Sequence, residues 1–77
     1  MEDQLKKIIA VIAELDSPEV IKNDSNLKDD LGMDSLMMID LVIDIGDQLG
    51  VKISAAEKVK LQTFNDVVNL VASSKSK

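Results

Sequence analysis

The sequence predicts an all-α fold, a small four-helix bundle with a long first loop and a short third helix, and two observations carry that prediction. Apolar residues recur three and four positions apart in three separate stretches, which is the period of a helix buried along one side. Between those stretches stand helix punctuation signals, Asp16-Ser17-Pro18, Gly32, Gly50 and Ser54-Ala55-Ala56-Glu57. The run Val51-Lys52-Ile53 is too short to establish a sheet. Residues 1–77 read as one domain, frayed from about 73 to 77, because no repeat, low-complexity tract or linker divides them.

The first helix is expected over 2–15. Leu5, Ile8, Ile9, Ile12 and Leu15 fall on one side, Lys6, Lys7 and Glu14 lie off it, and Glu2 and Asp3 suit the positive N-terminal end of the dipole. Pro18 lacks an N–H and disfavours helix in the residue before it, so the pattern breaks there. The connection that follows, from Ser17 to about Met33, is longer than most structureless loops in compact domains. Val20, Ile21, Leu27 and Leu31 are expected to pin it to the helices, with one helical turn after Ser17-Pro18. Asp24-Ser25-Asn26 invites comparison with a calcium loop, but Asp29 stands where that loop needs glycine and Ser35 where it needs glutamate. No metal site is expected.

Leu36 to Leu49 forms the central helix, bracketed by Gly32 and Gly50. At 100° per residue Asp40, Asp44, Asp47 and Gln48 share one face, while Met38, Ile39, Leu41, Val42, Ile45 and Leu49 spread over the other. Leu36 and Met37 project onto the acidic side. An apolar pair beside an acidic stripe and a serine reads as a docking surface made of Leu36, Met37, Asp40, Asp44 and Asp47. Gly46 falls on the apolar side, where glycine costs about 1 kcal/mol relative to alanine; a close helix crossing is the expected reason. Ser54 and Glu57 have capping-box spacing for the short third helix. Thr63-Phe64-Asn65-Asp66 is a weaker cap for the last, whose stripe is Phe64, Val67, Val68 and Val71.

The 77 residues carry a net charge of −5, all nine cations are lysines, and cysteine and histidine are both absent. Disulfides and thiolate metal sites are thereby excluded, and the commonest general base is missing. From Glu14 to Asp47 ten acids face only Lys22 and Lys28, a net of −8, whereas the first 13 residues balance and residues 48–77 sum to +3. Such an acidic pole repels nucleic acid and attracts basic protein patches. The absence of an apolar stretch of about 20 residues argues against a membrane span and for a cytoplasmic location.

The residue singled out for chemistry is Ser35, placed between the Gly32 turn and the start of the central helix. Unpaired N–H groups and the helix dipole make a phosphate ester acceptable there. Hydrolysis is not: no histidine can activate Ser35, and Gly32-Met33-Asp34-Ser35-Leu36-Met37 is not a nucleophile elbow. Ser35 is therefore expected to be a substrate of another enzyme, and the chain itself no enzyme.

Asp30-Leu31-Gly32-Met33-Asp34-Ser35-Leu36, set mid-chain in a small acidic protein and followed by an amphipathic helix, resembles the attachment motif of acyl carrier proteins. The resemblance extends over nearly the whole chain. It implies 4′-phosphopantetheine on Ser35, installed from coenzyme A and Mg²⁺ by a phosphopantetheinyl transferase, with Asp34 beside it in a metal or capping role. It implies acyl chains carried as thioesters, in fatty acid biosynthesis, with acyltransferases and ketosynthases bearing basic patches as partners and the carrier acting as a monomer. Met38, Ile39, Ile43 and Ile53 are the expected acyl-chain lining, with room at Gly46 as a second reason for that glycine. A specialised carrier of polyketide, lipid, peptidyl or D-alanyl building blocks is the near alternative, and an unmodified helical interaction module the alternative from another class.

Overall fold

The computed structural model describes residues 2–75, and its architecture is helical throughout. The order is α1 (Glu2–Ile12), a 3-10 turn (Pro18–Val20), α2 (Ser35–Leu49), α3 (Ala55–Lys58) and α4 (Phe64–Lys75). Among the described residues there is no strand, only a lone antiparallel bridge between Asn26 and Thr63. α1 packs on α2, and α4 closes the bundle.

The core is the sum of the apolar stripes. Leu5, Ile8 and Ile9 come from α1, Met38, Leu41 and Ile45 from α2, and Phe64, Val67 and Val71 from α4, all buried. The long connection behaves as part of this core, because Ile21, Leu27, Leu31 and Met33 are buried with them. Its backbone is tied across the molecule: Leu27 N–H donates to Gln62 O at 2.8 Å, Phe64 N–H to Ser25 O at 3.0 Å and Asn65 N–H to Asn23 O at 2.9 Å. Val20 is a correction. It is half-exposed at the end of the 3-10 turn and pins nothing.

α1 ends three residues before the expected Leu15. Glu14 adopts φ 55°, Glu14 N–H donates to Val11 O at 3.3 Å, and Leu15 N–H reaches back to Ala10 O at 2.9 Å. Those two bonds are the Schellman stop, usually built on glycine. Leu15 misleads the periodicity because it packs against the core from outside the helix, as the hydrophobic contact of that motif.

The caps follow the sequence more closely. Ser54 Oγ accepts from Glu57 N–H at 3.1 Å, and Glu57 Oε1 accepts from Ser54 N–H at 3.0 Å, a complete capping box for α3. Thr63 and Asp66 form a second box, stronger than their sequence suggests: Asp66 N–H donates to Thr63 Oγ1 at 3.2 Å, and Asp66 Oδ2 accepts from the N–H groups of Thr63 and Gln62 at 3.1 and 3.0 Å. Those backbone donors, Thr63 first, hold the Asp66 carboxyl below its ordinary range. α4 then runs to Lys75, while residues 76 and 77 of the tail expected to fray lie outside the described residues.

Gly46 also differs from expectation. A Cβ built on it meets only Val51 O, at 3.7 Å, an ordinary contact, and no neighbouring helix. No close crossing requires the glycine. Gly46→Ala is therefore expected to stabilise the fold by about 0.5–1 kcal/mol, read as a rise of a few degrees in the thermal midpoint. A fall in midpoint would show that the neighbourhood of Val51 cannot give.

Candidate functional site

The N-terminus of α2 is positioned by the last third of the long connection. Asn26 organises that segment: its Oδ1 accepts from Lys28 N–H at 3.0 Å and Asp29 N–H at 2.8 Å, while Asp30 Oδ2 accepts from Asn26 N–H at 2.7 Å. These side chains of the calcium-like run are thus engaged in turns of the backbone. Gly32 turns the chain at φ 70°, a left-handed conformation that favours glycine. Met33, 2% exposed, anchors it in the core, and its N–H donates to Leu27 O at 2.9 Å. The following residue is thereby delivered to the surface in extended conformation.

That residue is Asp34, the N-cap. Its Oδ1 accepts from Met37 N–H at 2.9 Å and its carbonyl accepts from Met38 N–H at 3.0 Å. Asp34 thus caps the helix. Ser35 is the first helical residue and is exposed. It lines a cleft of about 160 Å³ together with Lys28, Met38, Lys58, Val59 and Leu61. The floor is apolar and the two ionisable neighbours are cations. A charged ammonium donates hydrogen bonds and accepts none, so neither lysine is a base for the hydroxyl; both favour an anion there.

The other sequence-singled residues divide. Asp40 and Asp47 are exposed and Asp44 is half-buried along one side of α2, and Leu36 stands 72% exposed beside them. Met37 does not share that exposure. It is half-buried against the core, which corrects its placement on the acidic face. The helix wheel erred in the other direction too, since Ile39, assigned inward, is 42% exposed; Ile43, expected to line an acyl chain, is 53% exposed. With Leu36 they form an apolar row at spacings of three and four.

Of the four residues expected to line an acyl chain, Met38 lies in the Ser35 cleft. Ile39, Ile43 and Ile53 line a separate groove of about 190 Å³ together with Val42, Ser54, Ala55 and Lys58. Lys58 borders both cavities. Lys28, Lys58, Val59 and Leu61 are not marked as neighbours of Ser35 by the sequence, because tertiary packing brings them to it. The one available signal was Lys28, one of only two lysines in the acidic pole.

An exposed hydroxyl at a helix N-terminus, with a capped backbone, two cations and an apolar floor, fits an esterified phosphate bearing an extended arm. Comparison with known proteins agrees. The family described as phosphopantetheine attachment site matches residues 3–71. The chain is also similar to the acyl carrier protein of Thermotoga maritima, 36% identical over 73 residues that cover 91% of this chain and 89% of that relative.

Proposed function

This chain belongs to the phosphopantetheine attachment-site family, and from that premise we propose that it is an acyl carrier whose Ser35 bears the 4′-phosphopantetheine arm and which serves fatty acid synthesis. The observation that carries the reading is the exposed Ser35 at the capped start of α2, which shares its cleft with two lysines. The name of the T. maritima relative supports the acyl cargo. Residues 1–77 act as one carrier domain.

The attachment step balances with coenzyme A as donor. Ser35 Oγ forms a bond to the pantetheine-side phosphorus, the pyrophosphate P–O bond breaks, adenosine 3′,5′-bisphosphate leaves, and the hydroxyl proton passes to a base on the transferase. When bound, 4′-phosphopantetheine supplies the thiol that this cysteine-free chain lacks, to hold acyl groups as thioesters. The chain's own residues present and shelter. Asp34 keeps the helix start ordered, and the α2–α3 groove of Ile39, Ile43 and Ile53 offers apolar surface at about 0.8 kcal/mol per CH₂ withdrawn from water.

Partner enzymes, the transferase among them, read the outer side of α2 through Leu36, Asp40, Asp44 and Asp47. Met37 supports that surface from beneath, so Leu36→Ala is the cleaner probe of it. Leu36→Ala and Asp40→Lys are each expected to lower kcat/KM for loading by about tenfold or more while moving stability by less than about 0.5 kcal/mol, the Asp40 effect weakening at high salt. Unchanged kcat/KM in both variants would remove α2 as the docking surface.

The attachment itself is tested by intact-protein mass after incubation with coenzyme A, Mg²⁺ and a broad-specificity phosphopantetheinyl transferase. A gain of one phosphopantetheine is expected; no gain overturns the reading. Loading with fatty acyl groups rather than amino acids by matched synthetases separates the fatty-acid role from a specialised one.

A further inference from the structure

Lys28 and Lys58 reach the Ser35 cleft from either side of Ser35 in the sequence. Lys28 belongs to the long connection, Lys58 is the last residue of α3, and Ser35 is the first residue of α2. Three segments that are otherwise joined through the core thus converge on one surface point. Among the described residues neither ammonium is engaged in an ion pair. Apart from the helix N-terminus, the neighbouring side chains oppose a further negative charge, since Asp34 precedes Ser35 and Asp40 follows on the same helix, within a segment of net −8.

We propose that Lys28 and Lys58 form a clamp for the phosphodiester on Ser35, so that modification itself fastens the long connection and α3 to the start of α2. The proposal rests on Ser35 being the attachment site. α3 is the element with most to gain. It has four residues, none of them buried, and is followed by Val59, 74% exposed. One helical turn is not stable alone, so α3 holds its place by the Ser54–Glu57 box and by tethers at its ends. A single exposed ion pair contributes little. Two cations meeting an anion covalently fixed in their cleft are different, because the anion's translational freedom has already been removed.

Lys58 gives the clamp a second consequence. It borders both the Ser35 cleft and the Ile39–Ile43–Ile53 groove, so its hydrocarbon stem can form the wall between them while its ammonium faces the phosphate. The arm's attachment is thereby steered toward the groove by the same residue that neutralises it.

The experiment compares thermal unfolding midpoints of the unmodified and fully modified protein, conversion being established by mass, for wild type, Lys28→Gln/Lys58→Gln and Lys28→Arg/Lys58→Arg. In wild type at low salt, modification is expected to raise the midpoint by roughly 4 °C, and the increment should shrink in 0.5 M NaCl. The glutamine pair should lose the increment and the arginine pair keep it. An increment that survives intact in the glutamine pair overturns the clamp. Absence of any mass gain in wild type would instead overturn the attachment reading beneath it, so the two failures are distinguishable.

Discussion

Ser35→Ala is expected to take up no phosphopantetheine under conditions that convert the wild type completely, while folding as well as the wild type does. The second half of that expectation makes the first informative. The cap of α2 is Asp34, whose Oδ1 bonds to Met37 N–H, and Ser35 contributes its side chain to no part of it. Alanine at the first helical position keeps the backbone and has the better helix propensity, so stability should change by no more than about 0.5 kcal/mol. Loss of the mass gain then reports chemistry. Among the described residues the other hydroxyls are poor substitutes for physical reasons. Ser17, Ser54 and Thr63 accept backbone N–H bonds at helix starts, and Ser25, 8% exposed, holds Lys22 N–H at 2.9 Å. Ser73 and Ser74 sit in the C-terminal turn of α4, where the dipole opposes an anion. A mass gain that persists in Ser35→Ala would move attachment to another hydroxyl of the chain, Ser76 included, and dissolve the cleft as the functional site.

What the sequence displayed and what it hid divide along one physical line. Local interactions were legible. The Ser54–Glu57 box that places α3, the Gly50 stop at φ 69° and the start of α2 near Ser35 are each decided by residues within one turn, and the apolar periods located the other three helices. The end of α1 was not, because Leu15 continues the apolar period although the backbone has already turned at Glu14, where the left-handed conformation falls on a residue that advertises no stop. On α2 the wheel divided the faces correctly in outline but not at their edges. Met37 is half-buried against the core and Ile39 is 42% exposed because the width of a buried stripe is set by what packs on it, and that is not in the helix's own sequence. The site shows the same limit. Ser35 and Asp34 were readable from seven contiguous residues, but Lys28 and Lys58 meet at the cleft through the fold of the connection and the placement of α3.

Phe64→Ala is expected to cost about 3–5 kcal/mol, the usual range for emptying a buried phenylalanine site. For a 77-residue domain whose total stability is roughly 4–12 kcal/mol, that leaves a chain that is marginally folded or unfolded at 25 °C. Phe64 is the chain's single aromatic residue, is fully buried, and stands where three parts of the molecule meet. It opens α4, its N–H binds Ser25 O of the long connection at 3.0 Å, and Lys6 of α1 lies 5.7 Å above its ring centroid. The ring's removal therefore loosens the connection that delivers Asp34 and Ser35 to the surface, not only the local core. Phe64→Leu keeps most of the apolar volume and should lose distinctly less. With no tryptophan or tyrosine, far-ultraviolet circular dichroism against urea is the suitable readout. A loss under about 1 kcal/mol in Phe64→Ala would mean that the core is held elsewhere. Loading of Phe64→Ala with coenzyme A and transferase should fall in step with its unfolded fraction, because Ser35 is presented only while Met33 and Leu27 remain anchored in the core that the ring completes.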